Sequence, residues 1–386
     1  MHIAFVAASF PTTERPTAGT FVKQFVWAMA KQGHRCTVIH PISIFERRRG
    51  KLPPRFSVET VGQSTIETIR PPYVSCSSRK IGCLHTGRWT QTTFERAVIR
   101  SIQKLENKPD IIYGHFLYIA GRAATVVGNS LGMPAIIGVG EGTFWTVDPF
   151  GKTRAIRDLS QVSGFIAVAS HVRNGLVKQF HVPDEKIILA PNGVDLSKFK
   201  PMDRREARRE LGIAPDLFLI VFVGNFDELK GARELIQAAH GLEGTGVAMI
   251  GSGPIAPESD NLIYRGPVAH DKLPSWLNAA DIFVLPTREE GSCNAVIEAL
   301  ACGIPIVTSD GDYMDDLVDD KVAIRISPTN VKAIREAIIT LKNDSERRLR
   351  MSNACIEKSS EFDINIRARR ISDWMRLIIE RELSHP

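Results

Sequence analysis

Along almost the whole chain, short runs rich in Val, Ile and Ala alternate with longer segments whose apolar residues fall at helical spacing. Such alternation predicts parallel sheets joined by crossover helices, an α/β architecture. Ile3–Ala8 reads as a strand, Phe21, Val22, Phe25, Val26 and Met29 as one helix face, and Cys36–Ile39 as the next strand, which completes a first βαβ unit. Further strands are predicted at Ile111–Tyr113, Ala135–Val139, Gly164–Ala169 and Lys186–Leu189. Pro191-Asn-Gly-Val-Asp195 then has the chemistry of a turn, and Phe199-Lys-Pro201 adds a restricted, extended step. A second series follows, with strands at Phe218–Gly224, Gly246–Ile250, Asn261–Arg265, Ile282–Pro286, Pro305–Thr308 and Ala323–Ile326. Its helices fall near Ala232–His240, Lys272–Ala279, Ala295–Ala301 and Asn330–Lys342.

A length of 386 residues suits two domains, 1–190 and 191–365, with a cleft between lobes as the first place to look for a site. Residues 366–386 form a terminal amphipathic helix. Ile371, Trp374, Met375, Ile378 and Ile379 lie on one stripe, opposite Arg367, Arg369, Arg370 and Arg376, and the stripe is expected to dock on protein. Met1–Ser9 is short and lacks a basic leader, so it reads as a buried strand rather than a signal peptide. Ala123–Trp145, the most apolar long window, is broken by Pro134 and Glu141, and no transmembrane helix is expected. The six cysteines show no CxxC pair and are expected to be reduced thiols.

Charge is unevenly placed. Residues 1–190 carry 24 Lys and Arg against 12 Asp and Glu, while the remainder carries 25 against 31. A basic first half suits an anionic partner, such as phosphorylated lipid, an anionic membrane surface or nucleic acid, and a merely solvated basic surface fits equally. Arg47, Arg48, Arg49, Lys51 and Arg55 form its most obvious basic loop.

In a doubly wound lobe, ligands bind beyond the carboxyl ends of strands. After the strand ending at Pro286 comes Thr287-Arg-Glu-Glu290-Gly291-Ser292-Cys293-Asn294-Ala-Val-Ile-Glu298, a loop carrying an acid and a glycine before a helix. Free amides of Ser292, Cys293 and Asn294 at that helix start, with the helix dipole behind them, make an anion site. Glu290 precedes the helix and Glu298 lies about two turns inside it. One carboxylate can therefore read sugar hydroxyls and the other a ribose, on either side of a pyrophosphate. A glutamate that merely complements the helix dipole is the alternative.

Glu290-x7-Glu298, followed by Ala299-Leu-Ala-Cys-Gly303-Ile-Pro305-Ile-Val307, resembles the signature of the retaining glycosyltransferase family 4. Matching segments occur in order: Phe10-Pro11…Gly19-Thr-Phe21, Gly33-His34, Pro191-Asn-Gly-Val-Asp195, Val223-Gly224…Lys230-Gly231, Gly251-Ser-Gly253-Pro254 and Ala280-Asp281-Ile-Phe-Val-Leu-Pro286. The resemblance implies the GT-B fold, with two Rossmann-like domains facing a central cleft and the C-terminal helix returning to the N-terminal domain. It implies transfer of a sugar from a nucleoside diphosphate sugar to a glycan or lipid-linked acceptor in polysaccharide or glycolipid synthesis. No cofactor or metal is expected, since the family does not need a metal-binding DxD. The expected location is cytoplasmic, peripheral on the inner face of the membrane.

By position, the resemblance makes Lys230 a donor phosphate ligand, Glu290 a partner of donor-sugar hydroxyls and Glu298 a partner of the ribose. Gly19 would let the backbone of the first lobe approach the phosphates. Two departures stand out. Asn225 follows Gly224 where many relatives carry Arg, and Gly140-Glu141-Gly142 stands where relatives often carry His. Asn225 can still donate a hydrogen bond. Glu141 either accepts hydrogen bonds from donor or acceptor or simply ends a strand. His115, at another strand end, is a candidate acceptor-side residue or a structural histidine. Asp315, Asp316, Asp319 and Asp320 read as a solvated helix face rather than a metal site. A non-catalytic scaffold that keeps the fold, a nucleotide-sugar epimerase and a nucleic-acid-binding protein are the competing readings, the last resting only on the basic half; no nucleic-acid partner is expected.

Overall fold

The computed structural model describes residues 1–47, 53–76, 80–81 and 84–384. Arg48, Arg49 and Lys51 of the basic loop, Cys83 and the side chain of Arg47 lie outside the described residues. The chain divides into two compact units, Met1–Ala190 with Ile364–Pro386, and Pro191–Asp363.

The first unit holds strands β1 His2–Val6, β2 Arg35–Ile39, β3 Ile42–Ser43, β4 Phe56–Val61, β5 Ser64–Ile69, β6 Pro72–Tyr73, β7 Lys80–Ile81, β8 Leu84–His85, β9 Ile111–His115, β10 Ala135–Val139, β11 Gly164–Ala167 and β12 Ile187–Leu189. Eight of these form one sheet in the order β12-β11-β10-β9-β1-β2-β5-β4. The chain leaves β1 toward β2 and later returns to the other side of β1 as β9, so the strand order reverses between β1 and β9. Within this sheet only β4 runs antiparallel, in a hairpin with β5 that turns at Gly62. Its alternating pattern leaves Phe56 and Val58 exposed along an edge, and the sequence reading did not anticipate it.

The second unit contributes β13 Phe218–Val223, β14 Thr245–Ile250, β15 Leu262–Gly266, β16 Ile282–Leu285, β17 Ile306–Ser309 and β18 Ala323–Ile326. They pair in parallel in the order β15-β14-β13-β16-β17-β18, and the reversal falls between β13 and β16. Strands covered by helices on both faces must be apolar throughout, and every residue of β14, β16 and β17 is buried.

The last helix, Ile364–Ser384, belongs to the first unit. Ile364, Ala368, Ile371, Met375 and Ile378 join the core that contains Ile3, Phe5, Phe25 and Ile166. Gly164 at the start of β11 makes room for it, because a Cβ there would stand 2.6 Å from the Trp374 ring. Arg367 corrects the expected polar face. It turns inward over the Phe25 ring at 4.8 Å and donates to the Ala190 carbonyl. Burial lowers its pKa to about 10.

No helix among the described residues is long and apolar enough to cross a membrane. Cys36, Cys76, Cys293, Cys302 and Cys355 are free thiols. Because Ile371 and Met375 are fully buried, replacing either by Ala is expected to lower the unfolding free energy by about 2–5 kcal/mol, through lost burial and the cavity left behind. Urea denaturation followed by tryptophan fluorescence measures this, and a change below about 0.5 kcal/mol, the size of a surface substitution, would contradict the docked helix.

Candidate active site

In an open parallel sheet, the crevice for a ligand opens at the carboxyl edge where strand order reverses. In the second unit that point lies between β13 and β16. Lys230 follows the first of these strands and Glu290 the second. The loop after β13 is fixed from below by Gly251, whose φ of +146° only glycine readily adopts. A Cβ on Gly251 would lie 1.9 Å from the Gly224 carbonyl oxygen. Phe226 donates its amide to the Ser252 carbonyl at 2.9 Å, and the Lys230 amide closes a turn onto Asp227 Oδ1 at 2.9 Å. Asn225 is exposed at the strand end.

Gly231 then brings the two loops together. Its φ is +67°, and a Cβ would meet the Pro286 carbonyl oxygen at 2.2 Å. Arg288 donates its amide to the Leu229 carbonyl at 2.7 Å, and Thr287 Oγ1 donates to the same carbonyl at 3.1 Å. The Thr287 carbonyl is in turn held by Ser309 Oγ and by the Tyr313 hydroxyl. The result is a direct ion pair, with Lys230 Nζ 2.5 Å from Glu290 Oε1. Burial disfavours the ammonium, but the charge and hydrogen bond of Glu290, with the charge of Asp227, outweigh it and hold the Lys230 pKa above its ordinary value. The lysine is charged at neutral pH.

Beyond Gly291 and Ser292, the helix Asn294–Ala301 starts with Cys293 as its cap. Its first backbone bond within the helix runs from Ile297 to the Cys293 carbonyl. The amides without an intrahelical acceptor are therefore those of Cys293, Asn294, Ala295 and Val296. This corrects the sequence expectation of Ser292 to Asn294 by one to two residues. Cys293 is buried, and burial raises its thiol pKa well above the ordinary value, so it remains a neutral thiol. Glu298, on the second turn, is buried against His270, with Nε2 and Oε1 2.8 Å apart.

Two supporting residues were not marked as site residues from the sequence, although Asn192 lies in the Pro191–Asp195 turn. Asn192 donates its amide to Ser292 Oγ at 3.1 Å and its side-chain nitrogen to Asn294 Oδ1 at 2.9 Å, which ties the Pro191–Asp195 turn to the helix start. His270, in the loop after β15, packs its ring 5.1 Å from Phe199 and reaches Glu298. The acidic segment departs from expectation. It holds one 3-10 turn, Asp312–Met314, rather than a helix face; Asp315 pairs with Arg325 and Asp319 with Lys358.

The first unit places Gly19, His115 and Glu141 at the carboxyl edge beside its own reversal point. Gly19 caps the helix Thr20–Lys31 at φ +68°, and a Cβ would lie 2.4 Å from the Ser9 carbonyl oxygen. His115, at the end of β9, is buried with Nδ1 2.7 Å from the Tyr113 hydroxyl, and its Nε2 has no hydrogen-bond partner among the described residues. Burial, with Arg367 nearby, pushes its pKa down to about 3. Glu141 follows β10, and its Oε1 accepts from the Leu117 amide at 2.7 Å and the Thr146 hydroxyl at 2.9 Å. Burial pushes its pKa up to about 7. The edge thus holds a neutral imidazole and a carboxyl group that changes charge near neutrality.

Residues 18–198 match the family model Glycosyltransferase Family 4, and residues 203–358 match Glycosyl transferases group 1. The chain belongs to the family 4 glycosyltransferases. TuaC of Bacillus subtilis (strain 168), whose name assigns it as a glycosyltransferase to teichuronic acid biosynthesis, is 27% identical over 363 residues, covering 89% of this chain and 90% of TuaC. The D-inositol 3-phosphate glycosyltransferase of Paenarthrobacter aurescens (strain TC1) is 25% identical, covering 68% of this chain and 71% of that one. Among solved structures, sucrose-phosphate synthase from Thermosynechococcus elongatus superposes with a TM-score of 0.77 at 16% identity, covering 99% of this chain and 100% of the other. Anabaena HepE in complex with UDP-glucose superposes with a TM-score of 0.71 at 16% identity, covering 97% and 99%. The fold is GT-B.

In this family member, two outcomes follow from the geometry. Gly231→Ala forces a side chain into the Pro286 carbonyl at positive φ, so it is expected to cost more than about 1 kcal/mol and to separate Lys230 from Glu290. Urea denaturation reads the first effect and a crystal structure of the variant the second. Glu141 binds a proton more tightly folded than unfolded, so between pH 4.5, its ordinary value, and about 7 its contribution to stability falls as pH rises. His115 acts in the opposite sense, and between about pH 3 and 6.5 its contribution rises with pH. Glu141→Gln is expected to be more stable than the parent at pH 8, by up to about 3 kcal/mol, with little difference near pH 4; denaturation at both pH values checks it.

Proposed function

We propose that this glycosyltransferase moves a hexose-type sugar from a nucleoside diphosphate donor to a glycan or lipid-linked acceptor, with retention of anomeric configuration. The observation that carries the reading is the Lys230–Glu290 pair at the reversal point of the second sheet, beside the start of the helix Asn294–Ala301. Lys230, Gly291, Ser292 and the amides of Cys293 and Asn294 receive the diphosphate, with Asn225 at their edge. Glu290 accepts hydrogen bonds from sugar hydroxyls, and Glu298, oriented by His270, accepts from the ribose. The UDP-glucose complex of Anabaena HepE supports a nucleotide-sugar donor, and the name of TuaC supports a role in cell-surface polysaccharide synthesis at the cytoplasmic face of the membrane.

In the transfer, the bond from the anomeric carbon to phosphate breaks and its electron pair leaves with the diphosphate. The acceptor oxygen bonds to that carbon on the same face, and its proton passes to the departing phosphate. Lys230 and the helix amides stabilise the charge that develops there. Because these groups supply that stabilisation without a metal ion, chelation with EDTA is expected to leave the rate unchanged. Gly19, His115 and Glu141 belong to the acceptor-side unit. That unit also contains a cavity of about 370 Å³ beyond the ends of β1 and β2, lined by Phe10, Glu14, Arg15, His40, Glu46 and Tyr73 among others, which we assign to the acceptor.

Thermal-shift screening of UDP-, GDP- and ADP-sugars identifies the donor, since a ligand of the native state raises apparent stability. With that donor, Glu290→Ala is expected to lower kcat/KM by about 100- to 1000-fold, and proton NMR of the product to show the donor's anomeric configuration. Absence of transfer or donor hydrolysis with every nucleotide sugar would favour the scaffold reading; an inverted product would refute retention.

A further inference from the structure

The helix Gly87–Gln103 of the first unit shows one face to solvent along its length, about 25 Å for 17 residues. Its exposed residues are Arg88, Trp89, Thr92, Arg96, Arg100 and Gln103, with three cations and no acid among them. Glu95, the only acid of the helix, is turned away and engaged by Arg122 and by Gln91. None of the three exposed arginines forms an ion pair among the described residues. An exposed helix usually mixes charges of both signs, because neighbours three and four residues apart stabilise it. This one leaves a row of like charges at intervals of eight and four residues.

Large apolar side chains gather at the N-terminal end of that row. Trp89 is 56% exposed, Val74 38% and Phe45 46%. Thr93 Oγ1 donates to the Val74 carbonyl at 2.5 Å and the Cys76 amide donates to Thr90 Oγ1 at 2.9 Å, which lays Val74 along the first turns of the helix beside Trp89. Phe45 lies in the short helix Ile44–Arg47 that follows β3, and Val74 follows β6, its parallel partner with Ser43 opposite Tyr73, so both come directly after the carboxyl ends of paired strands.

We propose that this face docks on the surface of an anionic lipid bilayer, with Trp89, Val74 and Phe45 in the headgroup region and Arg88, Arg96 and Arg100 against lipid phosphates. The charge row selects a polyanion. The apolar cluster selects a bilayer over a nucleic acid, since a membrane interface accepts an indole and aliphatic groups beside cations. The surface extends the reading above by naming how the enzyme reaches a lipid-linked acceptor, while its evidence is separate from that of the donor site.

Co-sedimentation of the whole chain with vesicles of phosphatidylcholine alone, and of phosphatidylcholine with phosphatidylglycerol, tests the proposal. Binding is expected only with phosphatidylglycerol present and is expected to fall steeply with salt. The triple variant R88Q/R96Q/R100Q is expected to bind about a hundredfold more weakly, roughly fivefold per arginine, and Trp89→Ala to weaken binding as well. The nucleotide-sugar thermal shift, measured on the same samples, is expected to stay unchanged; this shows that the variants are folded and separates failure of the docking face from failure of the donor site. Equal binding to both vesicle types, no binding, or unchanged binding by the triple variant would overturn the proposal. So would tighter binding to an oligonucleotide that the same triple variant loses.

Discussion

The contact of Gly231 with the Pro286 carbonyl is the constraint from which the second unit's site follows. Two loops on neighbouring strands of a parallel sheet start about 5 Å apart and ordinarily diverge as their chains enter helices on the sheet faces. Here the absence of a side chain, at a backbone angle other residues rarely adopt, lets one loop lie on the other. The amide of Arg288 and the hydroxyl of Thr287 then share the Leu229 carbonyl. Only in that arrangement does Lys230 stand within reach of Glu290.

The first unit follows a different electrostatic plan. Its strand-end polar groups lie deep, and burial drives each toward its neutral form: the His115 imidazole, the Tyr113 phenol and the Glu141 carboxyl. Arg367 adds a cation beside them, reached from the last helix of the chain. A neutral histidine can donate or accept a hydrogen bond, and a carboxyl group with a pKa near 7 can do either according to pH. In the function proposed above, hydroxyl groups of an acceptor call for that ambivalence, whereas a diphosphate calls for the permanent charge of Lys230.

Much of the fold was legible because its strands are buried on both faces and read as unbroken apolar runs; Ile282–Leu285 and Ile306–Ser309 stand close to where the sequence reading put them. The hairpin Phe56–Ile69 was missed because only Ile66 and Thr68 within its strands are buried and its apolar signal is diluted. As site residues, Glu290 could be marked in advance by its place between a strand and a glycine, Lys230 by its place after a strand beside Gly231, and Glu298 by its spacing from Glu290 along the helix. Asn192 and His270 could not. Their partners lie 100 and 28 residues away, and neither periodicity nor spacing encodes a contact formed by tertiary packing alone. Arg367 misled for a related reason. Helical phase put it on the polar face, but its long side chain reaches back over Phe25.

The last helix has a consequence for how the molecule comes into being. The second unit is continuous, Pro191–Asp363, whereas the first lacks Ile371, Met375 and Ile378 of its core until the end of the chain has been made. On the ribosome, where domains generally fold in order of synthesis, the order is inverted for completion. The unit encoded first waits with an open apolar face while the whole of the other is synthesised, and closes only when the final helix arrives.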